Sequence, residues 1–138
     1  MKKISEVMTR DVRVVGADET IGNAAAAMAD ADVGSLPVAD NDRLIGMITD
    51  RDIVVRAVAR GSDTKTRVRD VMTDHIRYCY DDQDVQEVAQ NMADLKVRRL
   101  PVVDRNKRLV GFIALSNIAQ GGDEQCQETL LKGVATPH

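Results

Sequence analysis

The chain has 138 residues, 43% of them apolar and 30% charged, with no tryptophan, one phenylalanine and a formal net charge of −3. That length suits one compact unit and leaves little room for a second independent domain. The scarcity of aromatic rings argues against a base-stacking surface, and the acidic balance argues against the basic field that nonspecific nucleic-acid binding needs.

The N-terminal MKKISEVM holds no long apolar stretch, and no segment approaches the length of a membrane span, so the expectation is a soluble, cytoplasmic protein with no membrane partner. The next feature in chain order is a duplication. VMTRDVRVV at 7–15 returns as VMTDHIRYC at 71–79, MADADVGSLPVAD at 28–40 as MADLKVRRLPVVD at 92–104, and RLIGMI at 43–48 as RLVGFI at 108–113. Matches in the same order at nearly constant offset mark two copies of one unit.

In the first copy Ile21, Ala24, Ala25, Met28 and Ala31 have the spacing of one helix face, with Thr20 at the N-cap position. In the second, Val85, Val88, Ala89, Met92 and Leu95 repeat the pattern behind Asp84. Each helix is followed by a short apolar run (LPVAD or LPVVD), a polar turn (NDR or RNKR) and a second apolar run (LIGMI or LVGFI), which predicts a strand pair and then a closing helix. The first closing helix, about 51–60, is apolar over a wide arc through Ile53, Val54, Val55, Ala57 and Val58. Such an arc predicts burial within the chain or against another subunit. A polar linker, GSDTKTR, separates the copies. The tail predicts a final helix with Asp123 as N-cap and Gly133 as its stop. The division expected is 1–62 for the first repeat, 63–120 for the second and 121–138 for a helical tail.

Few residues offer catalysis. Histidine occurs only at positions 75 and 138 and cysteine only at 79 and 126, so no zinc-ligand spacing or Ser-His-Asp arrangement is visible, and nucleotide-binding glycine fingerprints are absent. The chain reads as a non-enzyme, with Cys79 in Tyr-Cys-Tyr as a buried, reduced thiol.

GMITDRDI at 46–53 carries the sharper signal. Thr49 and Asp52 have the spacing of a capping box. They also suit a ligand, because the threonine hydroxyl and a helix N-terminus favour phosphate, and a carboxylate accepts both hydroxyls of a ribose. The second copy has Ala114 and Asn117 at those positions, but Arg98 and Arg99 where the first has Gly34 and Ser35. Arginines there either discourage strand pairing or grip phosphate. If the copies face one another, one cleft collects Thr49, Asp52, Arg98 and Arg99, and its counterpart lacks both charges.

The ordered, duplicated VMT, LPVxD and GMITDRDI motifs over residues 1 to about 120 resemble tandem cystathionine-beta-synthase (CBS) domains, the Bateman module. The resemblance implies an α+β CBS-domain pair of two βαββα repeats with pseudo-twofold symmetry. It also implies an adenine nucleotide (AMP, ADP or ATP) as a regulatory ligand, with no required cofactor or metal. By the same resemblance the nucleotide is contacted by Met47, Thr49, Asp52, Ile76, Arg77, Val97, Arg98, Arg99 and Pro101. A weaker second site comprises Val12, Arg13, Gly34, Ser35, Pro37 and Asn117. The partners implied are an adenosine-containing small molecule, a second copy in a homodimer and an unidentified downstream protein. The leading expectation is a regulatory sensor. A ligand-independent dimerisation or interaction module is the alternative, and nucleic-acid binding through Arg98, Arg99, Arg105, Lys107 and Arg108 ranks below both.

Overall fold

The computed structural model describes residues 2–121. The tail helix expected around Asp123 to Gly133, and Cys126, lie outside the described residues. The elements run α1 (Ile4–Val7), β1 (Val15–Gly16), α2 (Ile21–Ala31), β2 (Ser35–Asp40), β3 (Arg43–Thr49), α3 (Asp50–Arg56), β4 (Cys79–Tyr80), α4 (Val85–Leu95), β5 (Arg99–Val103), β6 (Leu109–Ala114) and α5 (Leu115–Gly121), with short 3₁₀ turns at Val58–Arg60 and Val68–Asp70. Two three-stranded sheets form, β1-β2-β3 and β4-β5-β6. In each, a two-residue strand lies parallel to the middle strand, and the last two strands form an antiparallel hairpin. This is the α+β, twice-repeated βαββα arrangement that the motifs predict.

The local chemistry explains the hairpins and helices. Asn41 and Asp42 turn the first hairpin with φ of 50° and 66°, a left-handed pair of the kind that tight two-residue hairpins require and that Asn and Asp tolerate. In the second hairpin the Asp104 carboxylate accepts from the N–H groups of Asn106 and Arg108. Thr20 caps α2 by accepting from the Asn23 N–H at 3.1 Å. Asp84 stands at the N-cap of α4, but its side chain makes no cap; it pairs with Lys3 at 3.0 Å.

The repeats of the sequence are not the compact units of the fold. Described residues 13–76 form one unit, and 2–12 with 77–121 form the other. Each repeat therefore receives an arm from the segment that precedes the opposite repeat in the chain. The linker is not a free tether: the Ile21 N–H donates to Thr66 O, those of Val68 and Arg69 donate to Glu19 O and Ala17 O, and Val68 and Val71 are buried in the first unit's core. In the second unit Ile4 and Met8 of the N-terminal arm join the core with Val88, Met92, Leu100, Val102, Ile113 and Ile118. Each such fully buried aliphatic side chain contributes roughly 1.5–3 kcal/mol. Burial pushes the Cys79 thiol up to about 12, mainly by desolvation, so it stays protonated and inert as a core residue.

The VMT motif owes its form to how each arm docks. Thr73 and Met47 exchange both backbone hydrogen bonds, at 2.8 and 2.9 Å; Thr9 and Phe112 do the same, both at 2.8 Å. The methionine before each threonine then lies on a glycine of the last strand. A Cβ on Gly46 would sit 2.8 Å from Thr73 O and 2.9 Å from Met72 Sδ, and one on Gly111 would sit 2.6 Å from Thr9 O and 2.9 Å from Met8 Sδ. Both contacts include backbone, which cannot swing away.

The arc expected at 51–60 is buried only in part. Ala57 is fully buried and Ile53 packs against the first unit's core, whereas Val54, Val55 and Val58 are 57%, 44% and 64% exposed. Burial inside the chain therefore accounts for one side of the arc and not for the three valines. No described helix is long and apolar enough to cross a membrane.

Alanine at Gly46 or Gly111 is expected to cost about 1–3 kcal/mol by overpacking against the arm, read from the urea unfolding midpoint.

Candidate functional site

The strand-to-helix junction at the end of β3 brings the first unit's polar residues together. Its capping box is complete: the Asp52 N–H donates to Thr49 Oγ1 at 2.9 Å, and the Thr49 N–H donates to Asp52 Oδ2 at 3.1 Å. The other two N–H groups of this turn are also satisfied, Asp50 by Gly34 O at 2.9 Å and Arg51 by Asp50 Oδ1 at 2.8 Å. The expectation that this helix start offers free N–H groups to a phosphate is thereby corrected. Capping has taken them, so any phosphate here must be held by side chains.

The carboxylate itself retains capacity. Asp52 is only 13% exposed at its side chain. Its Oδ1 accepts from the Thr73 hydroxyl at 3.5 Å, the outer limit for a hydrogen bond, and has Arg56 Nε at 3.8 Å. Two carboxylate oxygens offer about four acceptor positions, so room remains for a diol. Beside it, Ser35 pairs with Thr49 and Pro37 with Met47 across β2 and β3, which sets all four on one sheet face. Ile76 stands at the chain's exit from this unit, and Val12 and Arg77 belong to the other. Arg13 is drawn into a loose ion pair with Asp30 at 3.7 Å.

The second unit repeats the junction with different chemistry. Asn117 Oδ1 accepts from the Ala114 N–H at 2.9 Å, as Asp52 accepts from Thr49, but its Nδ2 donates to Val7 O at 3.0 Å and to Thr9 Oγ1 at 3.1 Å. Phe112 replaces Met47 opposite Pro101. The Arg99 guanidinium lies 4.8 Å from the centre of the Phe112 ring, a cation–π stack. Arg98 is exposed at the mouth of β5 and forms no ion pair among the described residues, and Val97 packs at the edge of the core. Sequence reading had no way to find the stack of Arg99 on Phe112, because strand register creates it.

The basic residues grouped in sequence are separated in their contacts. Arg105 is held by the Asp82 carboxylate at 2.8 and 2.9 Å and lies 4.0 Å above the Tyr80 ring, and Lys107 lies 5.4 Å from the Tyr78 ring centre. The hydrogen bond from Arg105 holds the Asp82 carboxyl below its ordinary range.

The fold and its junctions define a duplicated α+β module in which one copy keeps an open carboxylate and the other does not. The CBS domain model matches residues 4–58 and 68–121, and the chain belongs to the CBS-domain family. It is similar to the CBS domain-containing protein YhcV of Bacillus subtilis, 39% identical over 119 residues that span 86% of this chain and 84% of that one. Hypoxic Response Protein I, crystallised with two coordinated zinc ions, superposes with a TM-score of 0.75 at 37% identity, covering 87% of this chain and 98% of that one. The CBS domain pair of protein MJ0100, in complex with 5′-methylthioadenosine and S-adenosyl-L-methionine, gives 0.70 at 25% identity, covering 87% and 94%. Among the described residues of this chain no group of three or more His, Cys, Asp or Glu side chains could hold a metal ion.

Thr49→Ala is expected to lower stability by about 1 kcal/mol through loss of the N-cap, with Thr49→Ser restoring most of it, as measured by urea unfolding.

Proposed function

We propose that the protein is a cytoplasmic regulatory sensor for an adenine nucleotide (AMP, ADP or ATP), with no catalytic role of its own. In this reading the Asp52 carboxylate takes the ribose hydroxyls and the Thr49 hydroxyl, whose proton is not needed for the cap, donates to the phosphate side. Met47 and Ile76 of the same unit flank the base. The observation that carries the reading is the Asp52 carboxylate, mostly shielded from water and with acceptor positions unfilled. The adenosine compounds bound to the MJ0100 pair support the choice of ligand class.

Calorimetric titration with AMP, ADP and ATP tests it. Asp52→Ala is expected to weaken binding about ten- to a hundredfold, the equivalent of one charge-assisted hydrogen bond of about 1.5–3 kcal/mol. No heat with any of the three nucleotides, or the same affinity in the variant, would refute the assignment.

A second reading, that of an interaction module, has an observation of its own. Val54, Val55 and Val58 are exposed on α3 and its continuation. Beside them Ala25, Met28, Ala29, Val33 and Ile53 line a shallow depression of about 520 Å³. Exposed valines in such number are unusual on a monomer, and a second copy docking α2 and α3 on this face would cover them. The two readings are compatible: a dimer gives a ligand-driven change somewhere to act, and a separate downstream protein would receive it. Val58→Glu is expected to shift the sedimentation coefficient from that of a dimer to that of a monomer. An unchanged coefficient would exclude this face.

A further inference from the structure

The molecule builds the same junction twice with different side chains, Thr49 and Asp52 in the first copy and Ala114 and Asn117 in the second. In both units the third residue of the closing helix accepts from a backbone N–H at the strand end, Asp52 from Thr49 and Asn117 from Ala114. In both, the VMT arm passes beside it. The contacts to the arm differ. Asn117 donates twice, to Val7 O and Thr9 Oγ1, and so fastens a segment more than a hundred residues away in sequence. The Asp52 side chain has no N–H to donate. The equivalent threonine, Thr73, instead turns its hydroxyl toward Asp52 Oδ1, at 3.5 Å. Arg56 meets a neighbouring carbonyl of the arm, one residue further along: its Nη1 donates to Met72 O at 3.3 Å, whereas the equivalent of Val7 is Val71. The residue equivalent to Arg56 in the second repeat is Gly121, which has no side chain to offer, and with Asn117 in place none is needed.

We infer that this position is an either/or element: as asparagine it is the clasp that holds the arm on its unit, and as aspartate it gives up the clasp to keep its oxygens for a ligand. The carboxamide of Asn117 has both donors and one acceptor position engaged, so a diol could reach it only by releasing the arm. The carboxylate of Asp52 can exchange the long Thr73 contact for a ligand hydroxyl while the cap to Thr49 stays intact. Beyond the paired backbone hydrogen bonds that both arms make, side chains at the junction tie the first unit's arm by a long hydrogen bond and a half-exposed arginine, and the second unit's arm by two hydrogen bonds of ordinary length. One ligand per chain follows, and so does a defined role for Asn117 as a positioning residue. The ligand half of this inference rests on the reading of Asp52 given above; the clasp half does not.

The test uses the full chain with AMP as the probe. Asn117→Asp removes two donations and sets a carboxylate against Val7 O. It is expected to lower Tm by about 4–8 °C, for one to two hydrogen bonds in a protein of this size, and to speed amide exchange at residues 4–9. Should that variant not fold, Thr9→Val, which removes one acceptor of the clasp, is expected to raise exchange in the same residues to a smaller degree. Asp52→Asn is expected to weaken AMP binding at least about tenfold with no loss of Tm and slower exchange at residues 71–73, because a carboxamide there can take the arm as Asn117 does. Wild-type exchange at 4–9 in both Asn117→Asp and Thr9→Val overturns the clasp. Unchanged AMP affinity in Asp52→Asn overturns the use of Asp52 by the ligand, and with it the proposed function, while a loosened arm in Asn117→Asp would still support the clasp. Two molecules of AMP per wild-type chain would overturn the either/or rule alone.

Discussion

Each arm reaches its strand only because a glycine leaves space for it. At Gly46 and Gly111 the arm's carbonyl and a methionine thioether occupy the volume that any side chain would need, and the paired backbone hydrogen bonds of Thr73 with Met47 and Thr9 with Phe112 fix the register. Much else follows from that approach. It places a threonine hydroxyl beside the third residue of the following helix, and so it decides what Asp52 and Asn117 can touch. It also explains why methionine, flexible and polarisable, sits at position two of both VMT motifs.

The arms also explain how two small repeats become a stable pair. A unit with one short parallel strand and a hairpin has little core of its own. Ile4 and Met8 complete one core, and Val68 and Val71 complete the other. Because each arm comes from the segment that precedes the opposite repeat, neither repeat of the sequence carries its whole core within its own boundaries. The contacts that close the fold are therefore distant in sequence, which slows folding but makes the two halves depend on one another.

Duplication made divergence possible. Two copies of a junction gave two places to meet an arm, and the chain builds them differently. The second unit is fastened, with Asn117 on its arm and Arg99 over Phe112. The first junction is left polar, with Asp52 facing a long hydrogen bond and an ion pair near the distance limit. The exposed Val54 and Val55 belong to the same first unit and lie on the helix that Thr49 and Asp52 cap, with Val58 just beyond its end.

The repeat, the hairpins and the helix faces were legible in the sequence because they depend on local rules: Asn41-Asp42 for a left-handed turn, Thr20 for a cap, and a 3.6-residue spacing from Ile21 to Met28. The capping box of Thr49 and Asp52 was legible for the same reason, since its partners are three residues apart. What the sequence could not disclose depends on partners far along the chain. That Val68 and Val71, just past the linker, belong to the first repeat's core, that Asp84 answers Lys3 instead of capping its helix, that Arg99 lies on Phe112, and that Asn117 holds Val7 and Thr9 are all decided by which surfaces meet. Spacing determines what a backbone does over one turn; only tertiary contact determines which side chain a donor or an acceptor finds there.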